Sequence, residues 1–213
     1  LKISWNTGAG TAVSDASIAA ALRAGSKEAG AIARANGDIE AGLVRASKRL
    51  EAEYELPLLA HVALEPMNCL ARVDGEGCDI WTSTQYPAGA QAVAAARTGL
   101  APERVKIHSQ FIGGGFGRRL EVDFIGQAAA IAKALPGVPV KLVWTREDDM
   151  KGGFYRPMYV HALKAGLNAS GNIVGWHHRI VAENVDAVAA PPRFKATGGK
   201  DLIGWRGMEM PHY

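Results

Sequence analysis

Four glycines within five residues, Gly113-Gly114-Gly115-Phe116-Gly117, constrain this chain more than any other stretch. They stand between an apolar run, Val105–Phe111, and a pattern that places Val122, Ile125, Ala129 and Ala132 on one helical face. A strand is therefore expected to pass into a helix through a segment almost free of Cβ atoms, where the backbone can approach a neighbour or a ligand closely.

The surrounding sequence repeats this alternation. Cys69–Val73 and Ile80–Thr84 read as strands joined by the turn Asp74-Gly75-Glu76-Gly77, and Glu65-Pro66 punctuates the apolar run before them. Pro87 suits the first position of a helix running to about Arg97, and Val138–Thr145 is a further strand. Upstream, Ser14-Asp15 offers an N-cap for a helix from Ala16 to Ala24, and residues 25–37 read as a loop or weak helix. Gly37-Asp38 opens a second helical stretch with Ile39, Leu43 and Ala46 on one face, and a strand from Arg49 to Tyr54 follows. Downstream, Tyr159–Leu167 and Asn172–Val181 form a long hairpin turning at Ala169-Ser170-Gly171. The fold class expected is α+β, or mixed α/β. Composition shifts near residue 55, which divides the chain into residues 1–54, a linker or part of a neighbouring segment, and residues 55–213. The Gly- and Pro-rich tail from Pro191 to Tyr213 looks unfinished.

At 213 residues and a formal charge of +3, the chain can bury a sizeable core, and its charge is too small to point to nucleic acid or a membrane surface. No apolar run is long enough to cross a bilayer. Cys69 and Cys78 match no zinc or iron–sulfur spacing and are expected to be unpaired. Six histidines, His61, His108, His161, His177, His178 and His212, show no metal-ligand pattern, and His177 and His178 should face opposite sides of a strand. The chain opens on Leu1, so a native start upstream is expected, and cytoplasmic and periplasmic placement both stay open.

The glycine loop is the chemically suggestive stretch. Feeding a helix N-terminus and followed by Arg118 and Arg119, it could cradle an anion. A dinucleotide fingerprint would need glycine at Arg118 or Leu120, and no Gly-Lys-Ser/Thr follows, so common nucleotide motifs do not fit. Alone, the loop fits a tight structural connection as well as a ligand cradle. A second segment, Ser83-Thr84-Gln85-Tyr86-Pro87, places Gln85 at a strand's carboxyl end, where open α/β sheets bind ligands; capping a helix or bridging two loops is its structural alternative.

Together the Thr84-Gln85…Pro87 segment and the Gly113–Gly117 loop resemble the large subunit of the xanthine dehydrogenase/aldehyde oxidase family. The 31-residue step from Gln85 to Phe116 agrees with that pattern, as do Glu65-Pro66, Pro102-Glu103-Arg104-Val105 and Thr145-Arg146-Glu147-Asp148 in order. Within the family, Leu59-Ala60-His61, Glu65-Pro66-Met67-Asn68 and Gly117-Arg118-Arg119-Leu120-Glu121 look most like the isoquinoline 1-oxidoreductase beta-subunit branch. Membrane-associated aldehyde dehydrogenases share the style.

The resemblance implies that residues 55–213 are the N-terminal part of a truncated molybdopterin-binding domain. It implies hydroxylation of a carbon beside nitrogen, or of an aldehyde carbon, with oxygen from water. The cofactor implied is molybdopterin carrying molybdenum, in its cytosine dinucleotide form. The implied partners are a small iron–sulfur (2Fe-2S) subunit and the remaining C-terminal part of the same subunit. Carried over by position, Gln85 hydrogen-bonds the apical oxygen on the metal. Phe116 brings its amide to the centre and its ring to the substrate. Gly114, Gly115 and Gly117 let the loop approach the pterin, and Arg118 helps neutralise phosphate. Xanthine-oxidising members carry glutamate four residues after this phenylalanine; Leu120 stands there, which favours an apolar heteroaromatic or aldehyde over a purine. The family's catalytic glutamate has no counterpart in the chain, Glu65 reads as a structural hydrogen-bonding residue, and catalysis by this stretch alone is not expected. The reading from a different class is an anion- or nucleotide-binding module that uses the glycine loop and Arg118 without redox chemistry.

Overall fold

The computed structural model describes Ser4, Asn6 and residues 8–206. In chain order the elements used below are α1 (Asp15–Gly25), α2 (Ile39–Arg45), β1 (Lys48–Leu56), β2 (Asn68–Val73), β3 (Cys78–Thr82), α3 (Pro87–Thr98), β4 (Val105–Ser109), α4 (Asp123–Lys133), β5 (Val140–Val143), α5 (Arg146–Gly152), β6 (Tyr159–Leu167) and β7 (Ile173–Ala182). They form two compact units, residues up to Leu59 with those from Pro157 onward, and Ala60–Arg156. The compositional change near residue 55 thus falls inside a strand of the first unit. His212 lies outside the described residues.

The first unit is a three-stranded antiparallel sheet in the order β1, β6, β7. Ser14 caps α1 with a reciprocal capping box to Ser17, and Asp38 caps α2, which explains where both helices start. Ala19 and Leu22 of α1 pack on Val160 and Met158. α2 crosses the hairpin where Gly166 and Gly175 leave room: a Cβ on Gly166 would sit 2.8 Å from that of Ala46. Three short helices, Val185–Ala189, Pro191–Ala196 and Leu202–Trp205, gather on the fully buried Asp186, which pairs with Arg193 and accepts from the Leu202 amide at 2.7 Å. The described part of the tail, to Arg206, therefore folds around this carboxylate.

The second unit is a four-stranded sheet in the order β4, β3, β2, β5. β2 pairs antiparallel with β3 and β5, and β3 pairs parallel with β4 through the crossover helix α3. Cys69, Ala71, Val73, Cys78 and Ile80 face α3 and α4, whose alanines 90, 94, 128, 129 and 132 allow close approach. Both cysteines are unpaired and buried, and burial is the main force raising their thiol pKa values, to about 12 for Cys69 and about 11 for Cys78.

The registers decide where the loops go. Asn68 lies opposite Val143 and Cys69 opposite Thr82, while Thr82 and Ser109 sit level on parallel strands. The start of β2 and the ends of β3, β4 and β5 therefore share one sheet edge. Four segments converge there: 61–67, 83–86, 110–119 and 144–154.

Candidate functional site

Gln85 and the glycine loop meet at this edge, as the sequence suggested. The Gln85 amide N–H donates to the Arg119 carbonyl at 3.0 Å, and its side-chain Oε1 accepts from the Gly117 N–H at 3.2 Å. An N–H can face only the oxygen of a side-chain amide, so Nε2 is left as the free end, without a partner among the described residues. A Cβ on Gly115 would lie 2.6 Å from Oε1, so a side chain there would displace Gln85 from this position.

The loop's polarity is sorted. Its carbonyls turn to the protein: Gly113 O accepts from Glu65 N at 3.0 Å, Gly114 O from Arg119 Nε at 2.8 Å, and Gly115 O from Arg118 N at 2.8 Å. The amides of Gly114, Gly115 and Phe116 have no partner among the described residues. Unpaired backbone donors at a shielded position are uncommon, and Gly115 is buried, so the loop presents donors to whatever fills the site. Phe116 itself has φ +55°, in the left-handed region, and the residue is 70% exposed.

Helix α4 starts only at Asp123, after a short 3-10 turn over Arg118–Leu120. The loop therefore does not open a helix N-terminus, and the amides themselves replace the dipole in the expected anion site. The expectation for Arg118 also changes. Its side chain is buried, donates to both Asp123 carboxylate oxygens at 2.9 Å, and lies against Phe124, Trp144 and Phe154 with ring centroids 5.2–6.0 Å away. A guanidinium neutralised inside the protein is not available to a phosphate. The non-redox anion module loses the cation it relied on.

Arg119 is fully buried and ties three segments together. It donates to Gly114 O, to Ser83 O at 3.2 Å, and to Glu65 O and Oε2, each at 2.9 Å. Glu65 also accepts from the Gly113 N–H at 2.9 Å, from Asn68 at 2.7 Å and from Ser83 at 3.3 Å. Burial pushes the Glu65 pKa up, but those hydrogen bonds and the Arg119 charge outweigh it and hold the carboxyl below its ordinary value. Glu65 is a hydrogen-bonding residue, as the sequence suggests; Arg119, expected to offer charge to an anion, is instead its buried partner.

His61 was passed over in the sequence because it has no metal-ligand spacing. It stands beside the loop: a Cβ on Gly117 would be 3.5 Å from its Nε2. Leu120 is half exposed at the position where the family's purine-recognising glutamate was expected. Trp81 stacks on His108 at 4.7 Å and Trp144 donates to Gln127, so both have protein partners. No group of three or more metal-ligating side chains exists among the described residues.

The model of the molybdopterin cofactor-binding domain family matches residues 24–190. The chain is 33% identical over 172 residues to the beta subunit of isoquinoline 1-oxidoreductase from Brevundimonas diminuta, covering 79% of this chain and 22% of that protein. It is 30% identical over 149 residues to the molybdenum-binding subunit of an aldehyde oxidoreductase from Escherichia coli (strain K12), covering 70% and 20%. Quinoline 2-oxidoreductase from Pseudomonas putida 86 has a similar fold, with a TM-score of 0.57 at 15% identity over 67% of this chain and 18% of that one. The chain thus spans about a fifth of the length of these proteins. It belongs to the molybdopterin cofactor-binding domain family, among the molybdenum-binding subunits of xanthine dehydrogenase and aldehyde oxidase type.

Proposed function

We propose that this chain supplies one wall of the molybdenum–pterin pocket of a hydroxylase acting on an N-heteroaromatic, isoquinoline-like carbon or on an aldehyde carbon. The observation that carries the reading is the set of open donors at one sheet edge: the Gln85 Nε2 amide and the backbone N–H groups of Gly114, Gly115 and Phe116. Hydrogen-bond donors held in place by satisfied neighbours suit oxygen atoms on a bound centre and cost little reorganisation during a reaction. When bound, the metal–pterin group supplies two-electron oxidation with water as the oxygen source.

This chain's own part is to bind and orient. Gln85 donates toward an oxygen ligand of the metal, its direction fixed by the Gly117 N–H. Gly114, Gly115 and Gly117 keep side chains out of the pterin's approach. The exposed Phe116 ring, with Leu64 and Leu120 also uncovered, offers an apolar surface suited to an aromatic or aldehyde substrate. Arg118 acts from inside, holding the turn after Phe116 through Asp123. The base that takes the substrate's or water's proton comes from the remaining C-terminal part of the same subunit, and a separate small iron–sulfur (2Fe-2S) subunit takes the electrons. The cytosine dinucleotide form belongs to this proposal too.

Two measurements test it. Metal and pterin analysis of the native complex containing this chain should find close to one molybdenum per chain; a complex with neither would overturn the reading. In that complex Gln85→Ala should lower turnover about 10²-fold, the typical cost of one lost transition-state donor, without lowering the unfolding midpoint. Wild-type turnover in the variant would remove Gln85 from the site.

A further inference from the structure

The open groups described so far are all donors. His61 is of the opposite kind. Its Nδ1 lies 3.1 Å from the carbonyl oxygen of Phe154. A carbonyl can only accept, so Nδ1 carries the proton, and in the neutral ring Nε2 keeps a bare lone pair. That Nε2 has no partner among the described residues and points to the open side of Gly117, 3.5 Å from where a Cβ would stand. Burial, the largest influence, lowers the ring's pKa. The Phe154 bond and Asp149 raise it, while Arg118 and Arg156 lower it further, and the balance falls below the ordinary histidine value. The ring is therefore a neutral acceptor at pH 7.

The backbone singles out the same place. Among the described residues, Val62 and Phe116 are the two non-glycine positions with positive φ, at +46° and +55°. For a β-branched residue that conformation is costly and is tolerated where the surroundings enforce it, commonly at binding sites. Val62 separates His61 from Ala63 and Leu64, and those two residues border Gly114, whose hypothetical Cβ would lie 3.6 Å from each. The segment that holds one strained step thus packs against the loop that holds the other.

We propose that His61 is the hydrogen-bond acceptor of this site, its Nε2 taking an N–H donor of the heterocycle held against the glycine loop. Of the groups the proposed function brings here, the pterin carries such N–H donors, whereas an isoquinoline-like ring nitrogen and an aldehyde carry none; a bare oxyanion would be refused by the lone pair. The inference rests on the proposed function only for which molecule brings the N–H.

The test compares His61→Phe with His61→Gln in the holoenzyme. Gln offers an acceptor of similar reach, whereas Phe fills the space without one. Pterin and molybdenum retained per chain after gel filtration, KM, kcat and unfolding midpoint are read for each. If the donor is the pterin, Phe lowers retained cofactor about tenfold, about the worth of one hydrogen bond, and Gln restores most of it. Cofactor content that holds in Phe while KM alone rises overturns the assignment of the donor to the pterin. Wild-type values for Phe in every readout, or equal losses for Phe and Gln, overturn the proposal. Long-range 1H–15N correlation on histidine-labelled protein gives a readout that needs no cofactor: a proton on Nε2 at pH 7 overturns it, even where the wild-type complex lacks molybdopterin and the functional reading has failed.

Discussion

The loop at 113–117 and the hairpin turn at 168–172 both depend on glycine, but different things forbid a side chain in each. At Gly171 the obstacle is the backbone: φ is +82°, and nothing lies within 4 Å of where a Cβ would stand. The turn closes locally, with Asn168 Oδ1 accepting from the amides of Ser170 at 3.0 Å and Asn172 at 2.9 Å. At Gly113 and Gly115 φ is unremarkable and the obstacle is a neighbour, Glu65 in one case and Gln85 in the other. The hairpin shapes itself; the loop is shaped by residues 30 to 50 positions away in sequence. A self-shaped turn needs only its own few residues, whereas this loop carries free amides while its carbonyls are taken up by Glu65 and by the adjoining Arg118 and Arg119.

The largest break in that contrast comes from Arg119, which ties the Gly114 carbonyl of the loop to Ser83 and Glu65. Arg119→Met removes the partner of Glu65 and of the Gly114 and Ser83 carbonyls while keeping much of the buried stem's volume. Removing one side of a buried charged pair usually costs 3–5 kcal/mol, and the partial exposure of Glu65 sets the expectation at about 3 kcal/mol. Urea unfolding of the full protein measures it. A loss under about 1 kcal/mol would mean that the loop holds its own shape, as the hairpin does.

What the sequence disclosed follows the same division. Capped and self-contained pieces were legible: Ser14 and Asp38 mark helix starts, Pro87 opens α3, and the 159–182 hairpin lies within a residue of its expected limits. The meeting of Gln85 with the loop was legible too, because parallel strands joined by a helix bring their carboxyl ends to one edge. The inward turn of Arg118 and Arg119 was not: two adjacent arginines after glycines look like charge for an anion, and burial depends on nearby Asp123 for one and on distant Glu65 and Ser83 for the other. Helix α5 was missed although Thr145 and Asp148 form a capping box, a local signal that was present and was read only as a family landmark. The roles of His61 and Val62 come from tertiary contacts and dihedrals that no pattern of letters encodes.

Gly113→Ala should come next in size. Its Cβ would lie 2.4 Å from the Glu65 Cβ and 2.9 Å from Oε2, and the first of these is an anchored atom that cannot swing away. The loop must shift and weaken the Gly113 N–H bond to Glu65, for a loss of about 2 kcal/mol, read from the same unfolding curves. In the hairpin, Gly171→Ala meets open space and loses only the left-handed backbone preference, about 1 kcal/mol, with Gly171→Asn losing less. Equal losses for Ala and Asn there would mean the turn is limited by something other than φ.

Gly115→Ala is the smallest of the set in stability and the most informative about the site. Its Cβ would meet Oε1 and Cδ of Gln85 at 2.6 and 3.0 Å, the far end of a flexible, exposed side chain, and φ is not positive. Gln85 can swing aside at a cost of a few tenths of a kcal/mol, about the size of an ordinary surface substitution. Swinging aside surrenders the Gly117 N–H bond and with it the fixed direction of Nε2. Turnover in the holoenzyme should then fall toward that of Gln85→Ala, with unfolding nearly unchanged. Full turnover with a normal unfolding midpoint would show that the glutamine's aim does not matter, and that position 115 needs glycine for packing alone.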